Sequence, residues 1–209
     1  IQPDFESPLT DLILELNHLK KKELRGTTPP LIFFQLKRIF HTLESIGSAR
    51  IEGNNTTIAD FIENKITGEP TEDEKITEIE NIERAMSFID ENIDTISISR
   101  ALVSELHKIL VKDLSTPPKG EGDTNPGLYR TRKVKISKSE HLPPEPFTIE
   151  GYMDELFQFI SNEDASKYDL IKTAISHHRF LWVHPYSNGN GRTVRLITYM
   201  MLVKYGFNV

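Results

Sequence analysis

The sequence predicts an all-α fold: a helical bundle around a buried central helix, with a small β-hairpin beside one glycine-rich loop. Apolar residues recur at helical spacing through most of the 209 residues. Ser, Thr, Pro and Gly stand where helices start and stop. The irregular stretch Ser115–Phe147, with six prolines and three glycines, holds a short run of strand-like alternation.

The elements follow in chain order. "SPLTDLILELNHLK" offers Ser7 as N-cap and Pro8 at the first helical position. It places Leu9, Leu12, Ile13 and Leu16 on one face. "PPLIFFQLKRIFHTLESIGSARIEG" starts after Pro29-Pro30 and ends near Gly53, weakened at Gly47. "TTIADFIENKITG" is a short helix closed by Gly68. "TEDEKITEIENIERAMSFIDEN" opens with Thr71 and Glu74 as a capping box, and "SRALVSELHKILVKDL" has Ser99 as its cap. In "YRTRKVKIS" polar and apolar residues alternate, with Val134 and Ile136 on one side, which predicts one strand of a hairpin. "TIEGYMDELFQFI" and "KYDLIKTAISHHRFLWV" are helical, and the second runs straight into His184. "RTVRLITYMMLVKYG" is apolar nearly all round, the mark of a buried central helix. Neither repeats nor a linker divide the chain, so residues 1–209 read as one domain.

Composition bounds the function. The chain is 37% hydrophobic and 27% charged, as in globular proteins. A net charge of −6 argues against a broad nucleic-acid-binding surface, though not against a local basic site. With no cysteine, disulfides and thiol catalysis are excluded and a cytoplasmic location is expected. No run of about twenty apolar residues and no signal peptide is found, so no membrane span is expected. The chain begins at Ile1 without methionine and stops at Val209 just after an apolar helix, so a further C-terminal region is expected.

The chemistry concentrates in "HPYSNGNGRTVRL", residues 184–196. Gly189 and Gly191 permit backbone conformations that a Cβ forbids, so successive N–H groups can form an anion nest. A helix starting near Gly191 directs its free N–H groups and positive dipole end to the same place, an arrangement suited to phosphate. Arg192 and Arg195, three apart, share a helix face, and their planar forks match phosphate oxygens. His184 exchanges a proton near neutral pH. The stretch reads as a phosphate cradle with a general base at its rim. A Gly-Asn turn, a His-Pro pair or an arginine pair alone is commonly only structural; their order within one short window makes the pattern specific.

The segment from His184 to Arg195 resembles the Fic signature HPFx(D/E)GNGRxxR. It matches in His184, Pro185, an aromatic at Tyr186, the run Gly189-Asn190-Gly191-Arg192, and Arg195. "NPGLYRTRKVKIS…LPPEP" resembles the Fic flap hairpin. "SARIEGN", Ser48–Asn54, resembles the inhibitory motif (S/T)xxxE(G/N) of the subgroup with an N-terminal inhibitory helix, here about residues 31–53. The resemblance implies transfer of AMP from ATP to a hydroxyl side chain of a target protein. His184 would be the base. Gly189, Asn190 and Gly191 would form the nest, and Arg192 and Arg195 would bind the phosphate chain. Glu52 would pair with Arg195 in the place of the γ-phosphate, with Ser48 one turn earlier and within reach of the Glu52 carboxylate. Mg²⁺ is expected with ATP. Asn188 stands where the family usually has Asp or Glu, so it is a weak metal ligand, an amide oxygen in place of a carboxylate. The target would dock on the flap near Lys133–Ile136, where a free strand edge accepts an extended segment. Homo-oligomerisation stays open. His177 and His178 read as ordinary core or surface histidines, and no HExxH pattern is present. The alternatives are a Fic-fold enzyme transferring or removing another phosphate-containing group, and a nearly silent nucleotide- or partner-binding module.

Overall fold

The structure, a computed structural model, describes residues 3–20, 29–68, 73–136 and 139–207. Its α-helices in chain order are α1 Pro8–Lys20, α2 Pro30–Ile51, α3 Ile58–Thr67, α4 Glu74–Asn92, α5 Arg100–Leu110, α6 Ile149–Ser161, α7 Asp169–Val183 and α8 Asn190–Lys204. Single 3₁₀ turns lead into α6 and α7. No described helix is long and apolar enough to cross a membrane.

The caps follow the residue chemistry. Ser7 Oγ accepts from Leu9 N at 3.2 Å, and Ser99 Oγ accepts from Leu102 N at 3.4 Å. Thr57 and Asp60 form a reciprocal capping box on α3, and Gly68 closes that helix in the left-handed conformation. The box expected at Thr71 and Glu74 falls partly on residues that are not described. Thr71 lies outside the described residues, and Asp73 caps α4 through Lys75 N. Glu74 accepts from Ser115 N at 2.9 Å, tying the start of α4 to the irregular segment.

Two apolar clusters share α8. Ile79, Ile82, Met86, Leu106 and Leu110 meet Leu196 and Met200 on one side. Ile149, Met153, Phe180, Val183 and Tyr186 meet Val194, Ile197 and Met201 on the other. Burial on both flanks explains the nearly all-round apolar sequence of α8, and it fixes the N-terminal end of that helix, where the glycine-rich loop arrives. The apolar face read on α1 is only partly used. Ile13 is buried, but Leu9 and Leu12 are exposed. That helix is held at its end by Lys20, whose Nζ lies 2.7 Å from Asp169 Oδ2.

The expected β-hairpin is absent: residues 129–136 and 139–145 contain no strand. The alternation itself is real, with Lys133 and Lys135 exposed and Val134 and Ile136 half-buried. What is missing is a ladder partner. Arg130 N–H donates to Pro185 O at 2.8 Å. The Arg130 guanidinium takes the carbonyls of Arg132 (3.0 Å) and Pro144 (2.8 Å), so a side chain serves groups that a second strand would otherwise pair.

Candidate active site

The loop between α7 and α8 is built by its own residues. His184 ends α7 in a left-handed conformation (φ 49°, ψ 62°), and Gly189 starts α8 at φ 74°. A Cβ on Gly189 would lie 3.3 Å from His107 Nε2 and Val111 Cγ1, so the glycine serves both the turn and the close approach. Gly191 is different. Its φ is not positive, but a Cβ there would strike the Glu52 carboxylate. Asn190 locks the turn: its Oδ1 accepts from Tyr186 N and its Nδ2 donates to Tyr186 O, both at 2.9 Å. With both ends of the amide engaged, the Asn190 side chain is a brace, and only its backbone N–H remains for a nest.

A second brace comes from α5. His107 is fully buried and stacks on Tyr186 with ring centroids 3.8 Å apart. Its Nδ1 accepts from Gly127 N at 2.8 Å, which leaves Nε2 to donate to Asn188 O at 3.0 Å. Burial pushes its pKa down, so the ring is neutral. Asp123 accepts from Asn188 N at 2.9 Å and completes the hold on the loop. The Tyr186 hydroxyl is buried and has no hydrogen-bond partner among the described residues. Burial raises its pKa, so it stays protonated. Removing an unsatisfied buried hydroxyl is favourable. Tyr186→Phe is therefore expected to stabilise the protein by about 1 kcal/mol in chemical denaturation; a destabilised variant would show that the hydroxyl has a partner.

The two motif arginines diverge. Arg195 is partly exposed. Its Nη2 lies 2.6 Å from Glu52 Oε1, and its Nε donates to Ser48 Oγ at 2.8 Å. Ser48, read as within reach of the Glu52 carboxylate, thus holds the arginine that the carboxylate pairs with. Glu52 caps α2, an unfavourable end for an acid, and its carboxylate sits over Gly191 at the positive end of α8. Arg192 is 1% exposed and does not face an open groove. Its Nη1 stands 3.1 Å from Glu78 Oε1, and its Nη2 donates to Glu121 O at 2.7 Å. Glu78 is drawn down by Arg192 but pushed up further by burial. Nε and Nη1 of Arg192 are buried without an aligned acceptor.

His184 carries a pKa lowered to about 4, by burial first and the Arg130 cation second. The neutral ring is the state a general base needs. Its Nδ1 is buried with no partner of full hydrogen-bond geometry; the Leu181 backbone is the group that favours a proton there. Asn188 donates through Nδ2 to Glu121 Oε2 (3.1 Å) and Gly122 O (3.2 Å). Among the described residues, no group of three or more His, Cys, Asp or Glu is placed to hold a metal.

The sequence reading missed Glu78, Glu121, Asp123, His107 and Arg130. Glu78 had a signal: an acid set among Ile76, Ile79 and Ile82 on an apolar face of α4. His107 had a similar one, a histidine flanked by Leu106 and Leu110. Glu121, Asp123 and Arg130 lie in the irregular segment and had none.

The family profile described as the Fic/DOC family matches residues 97–202. The chain is 26% identical over 169 residues to "Protein adenylyltransferase Fic" of Nematostella vectensis, covering 77% of this chain and 37% of that protein. It is 26% identical over 172 residues to the protein of the same name from Drosophila melanogaster, covering 80% and 32%. It thus spans about a third of the length of these relatives. Among solved structures, Fic-1 from C. elegans superposes with a TM-score of 0.73 at 20% identity, over 96% of this chain and 60% of that one. A Fic family protein from Desulfovibrio desulfuricans G20 gives 0.70 at 21%, over 97% and 60%. These two likenesses concern the fold.

Proposed function

The chain belongs to the Fic/DOC family, and from that premise we propose that it is a protein adenylyltransferase held in check by its own Glu52, within a single domain spanning residues 1–209. The observation that carries this reading is the Glu52 carboxylate on Arg195, 2.6 Å away, lying over the first turn of α8 beside a neutral His184. An acid at that helix end occupies the ground an anionic substrate would take. The curated relatives named as adenylyltransferases support AMP as the group transferred.

In the proposed reaction the target hydroxyl oxygen attacks the α-phosphorus of ATP. The bond from that phosphorus to the oxygen bridging it to the β-phosphate breaks, and pyrophosphate leaves. His184 accepts the hydroxyl proton. Backbone N–H groups from Gly189 to Arg192 hold the phosphates; Arg192 contributes through its backbone and the positive field of its charge, because its side chain is buried and paired with Glu78. Arg195 binds the outer phosphates once Glu52 is displaced. The target would lie along Lys133–Ile136, where exposed lysines alternate with half-buried Val134 and Ile136. The proposed location is the cytoplasm.

Mg²⁺ would enter with ATP and neutralise phosphate charge. The donors fit an ion that keeps most of its ligands from phosphate and water: the Asn188 amide oxygen, beside the partly exposed Glu121 carboxylate. Asn188→Asp supplies a hard carboxylate, but it also removes the donor that Glu121 now accepts from. The variant is expected to reach half-maximal activity at lower Mg²⁺ and to gain more thermal stability from Mg²⁺ than the parent. An unchanged titration by both readouts would place residue 188 away from the metal. The test of the reading itself is incubation of purified protein, with and without Glu52→Gly, with labelled ATP and mass measurement. Addition of AMP supports it; addition of another group, or none by either protein, overturns it.

A further inference from the structure

We propose that Arg130 is the positioning residue for His184, clamping the base from the irregular segment that crosses over it; the proposal rests on the adenylyltransferase reading for the identity of the reaction. Arg130 is 4% exposed. Its Nε donates to His184 O at 2.8 Å, and its Nη2 to Val183 O at 3.3 Å and Pro144 O at 2.8 Å. Nη1 donates to Arg132 O at 3.0 Å, and the backbone N–H to Pro185 O at 2.8 Å. One side chain and its own amide therefore grip three consecutive residues, Val183 to Pro185, and two points of the covering segment.

Burying a guanidinium is costly, and that cost is usually offset by a carboxylate. Arg130 forms no ion pair among the described residues. Glu145, the acid whose field reaches it, is paired with Lys133 at 2.5 Å. Among the described residues the cation is held by carbonyls, two of which belong to His184 and to Val183 just before it.

The grip answers a local need. His184 is a non-glycine residue at positive φ, which a Cβ disfavours. Its N–H is fixed by Phe180 O at 2.9 Å, and its carbonyl is fixed by Arg130. Release of the carbonyl removes one of the two bonds that hold the strained backbone and hence aim the ring. The groups whose charge reaches His184 are Arg130 and His141 from the covering segment and Glu52 from the end of α2. Arg130 and His141 disfavour a proton on the ring, Glu52 favours one, and Arg130 is the strongest of the three. In position and charge, Arg130 keeps the base aimed and unprotonated.

The test uses Arg130→Lys and Arg130→Gln, each in the Glu52→Gly protein. It reads single-turnover AMP transfer across pH, ATP affinity by direct binding, and the His184 ring titration by NMR, assigned against His184→Ala. Both variants are expected to bind ATP as the parent does and to transfer AMP at least about tenfold more slowly, because a displaced base is costly even over short distances. A lysine keeps the charge but cannot span the same fork of carbonyls. Its ring titration is expected to stay at the parent pH, while that of the Gln variant moves upward. A parent-like transfer rate in the Lys variant overturns the clamp. An unmoved titration in the Gln variant overturns the charge role; if that variant does not fold, the Lys variant alone decides. If Glu52→Gly itself transfers nothing, the functional reading fails while the ring titrations still decide the charge role of Arg130.

Discussion

Glu52→Gly is expected to raise transfer of AMP to target or to the protein itself by two orders of magnitude or more. The Glu52 carboxylate does two things at once. It ties up Arg195 at 2.6 Å, and it places negative charge over the first turn of α8. A phosphate arriving there meets a like charge. At about 4 Å and an effective dielectric near 20 such a pair costs roughly 4 kcal/mol, close to a thousandfold. Glu52 and Arg195 are each about a quarter exposed in their side chains, so solvent reduces that figure. Glycine suits a helix end, and the residue that turns the chain, Gly53 at φ 108°, is untouched. Ser48 still holds Arg195 Nε in this variant, so the arginine stays in place when the acid goes. Ser48→Ala alone leaves the acid in place and is expected to release activity far less. A double variant with His184→Ala is expected to be silent. A Glu52 variant no more active than the parent would remove this carboxylate from any inhibitory role.

The Glu52–Arg195 pairing was legible only through the resemblance: each residue sits in a short motif of the family, and no local spacing joins two positions 143 residues apart. The helices were legible directly, since their caps and apolar spacing are local. Failures came where long-range partners decide. The spacing of Arg192 and Arg195 does put both on α8's first turns. Nothing in that spacing announces Glu78, 114 residues earlier, whose buried carboxylate draws Arg192 inward. Ser48 stands one turn from Glu52, so a bond between them was reasonable; the guanidinium of Arg195 claims the hydroxyl instead. Alternation in "YRTRKVKIS" reports which side chains are half-buried, not whether a ladder exists. The Arg130 fork takes the carbonyls of Arg132, inside that stretch, and of Pro144, beyond it, so the pattern survives without the strand.

His184→Ala is expected to abolish transfer, a loss on the order of a hundredfold to ten-thousandfold for a missing general base, while ATP still binds. The pH dependence of the Glu52→Gly protein tests the role more sharply. In the free protein, burial and Arg130 hold the ring's pKa near 4, well under the ordinary histidine value of 6.5. The base is therefore fully deprotonated at neutral pH, and kcat/KM, which reports the free protein, falls only as the pH approaches that low value. Bound triphosphate brings negative charge to the first turn of α8 and favours a protonated ring. The acid limb of kcat is thus expected at higher pH than the acid limb of kcat/KM. Stability follows the same sign. Because the folded-state pKa lies below the unfolded one, the unfolded chain takes the proton first. The histidine's contribution is intact above 6.5 and is lost as pH falls toward 4. His41, His107 and His177 are also lowered by burial and push the same way. His184→Ala, free of its own share, is expected to lose less stability than the parent over that interval. Coincident acid limbs for kcat and kcat/KM would show that the titrating base does not sit beside the nucleotide phosphates. Undiminished transfer by His184→Ala would show that the base is another group.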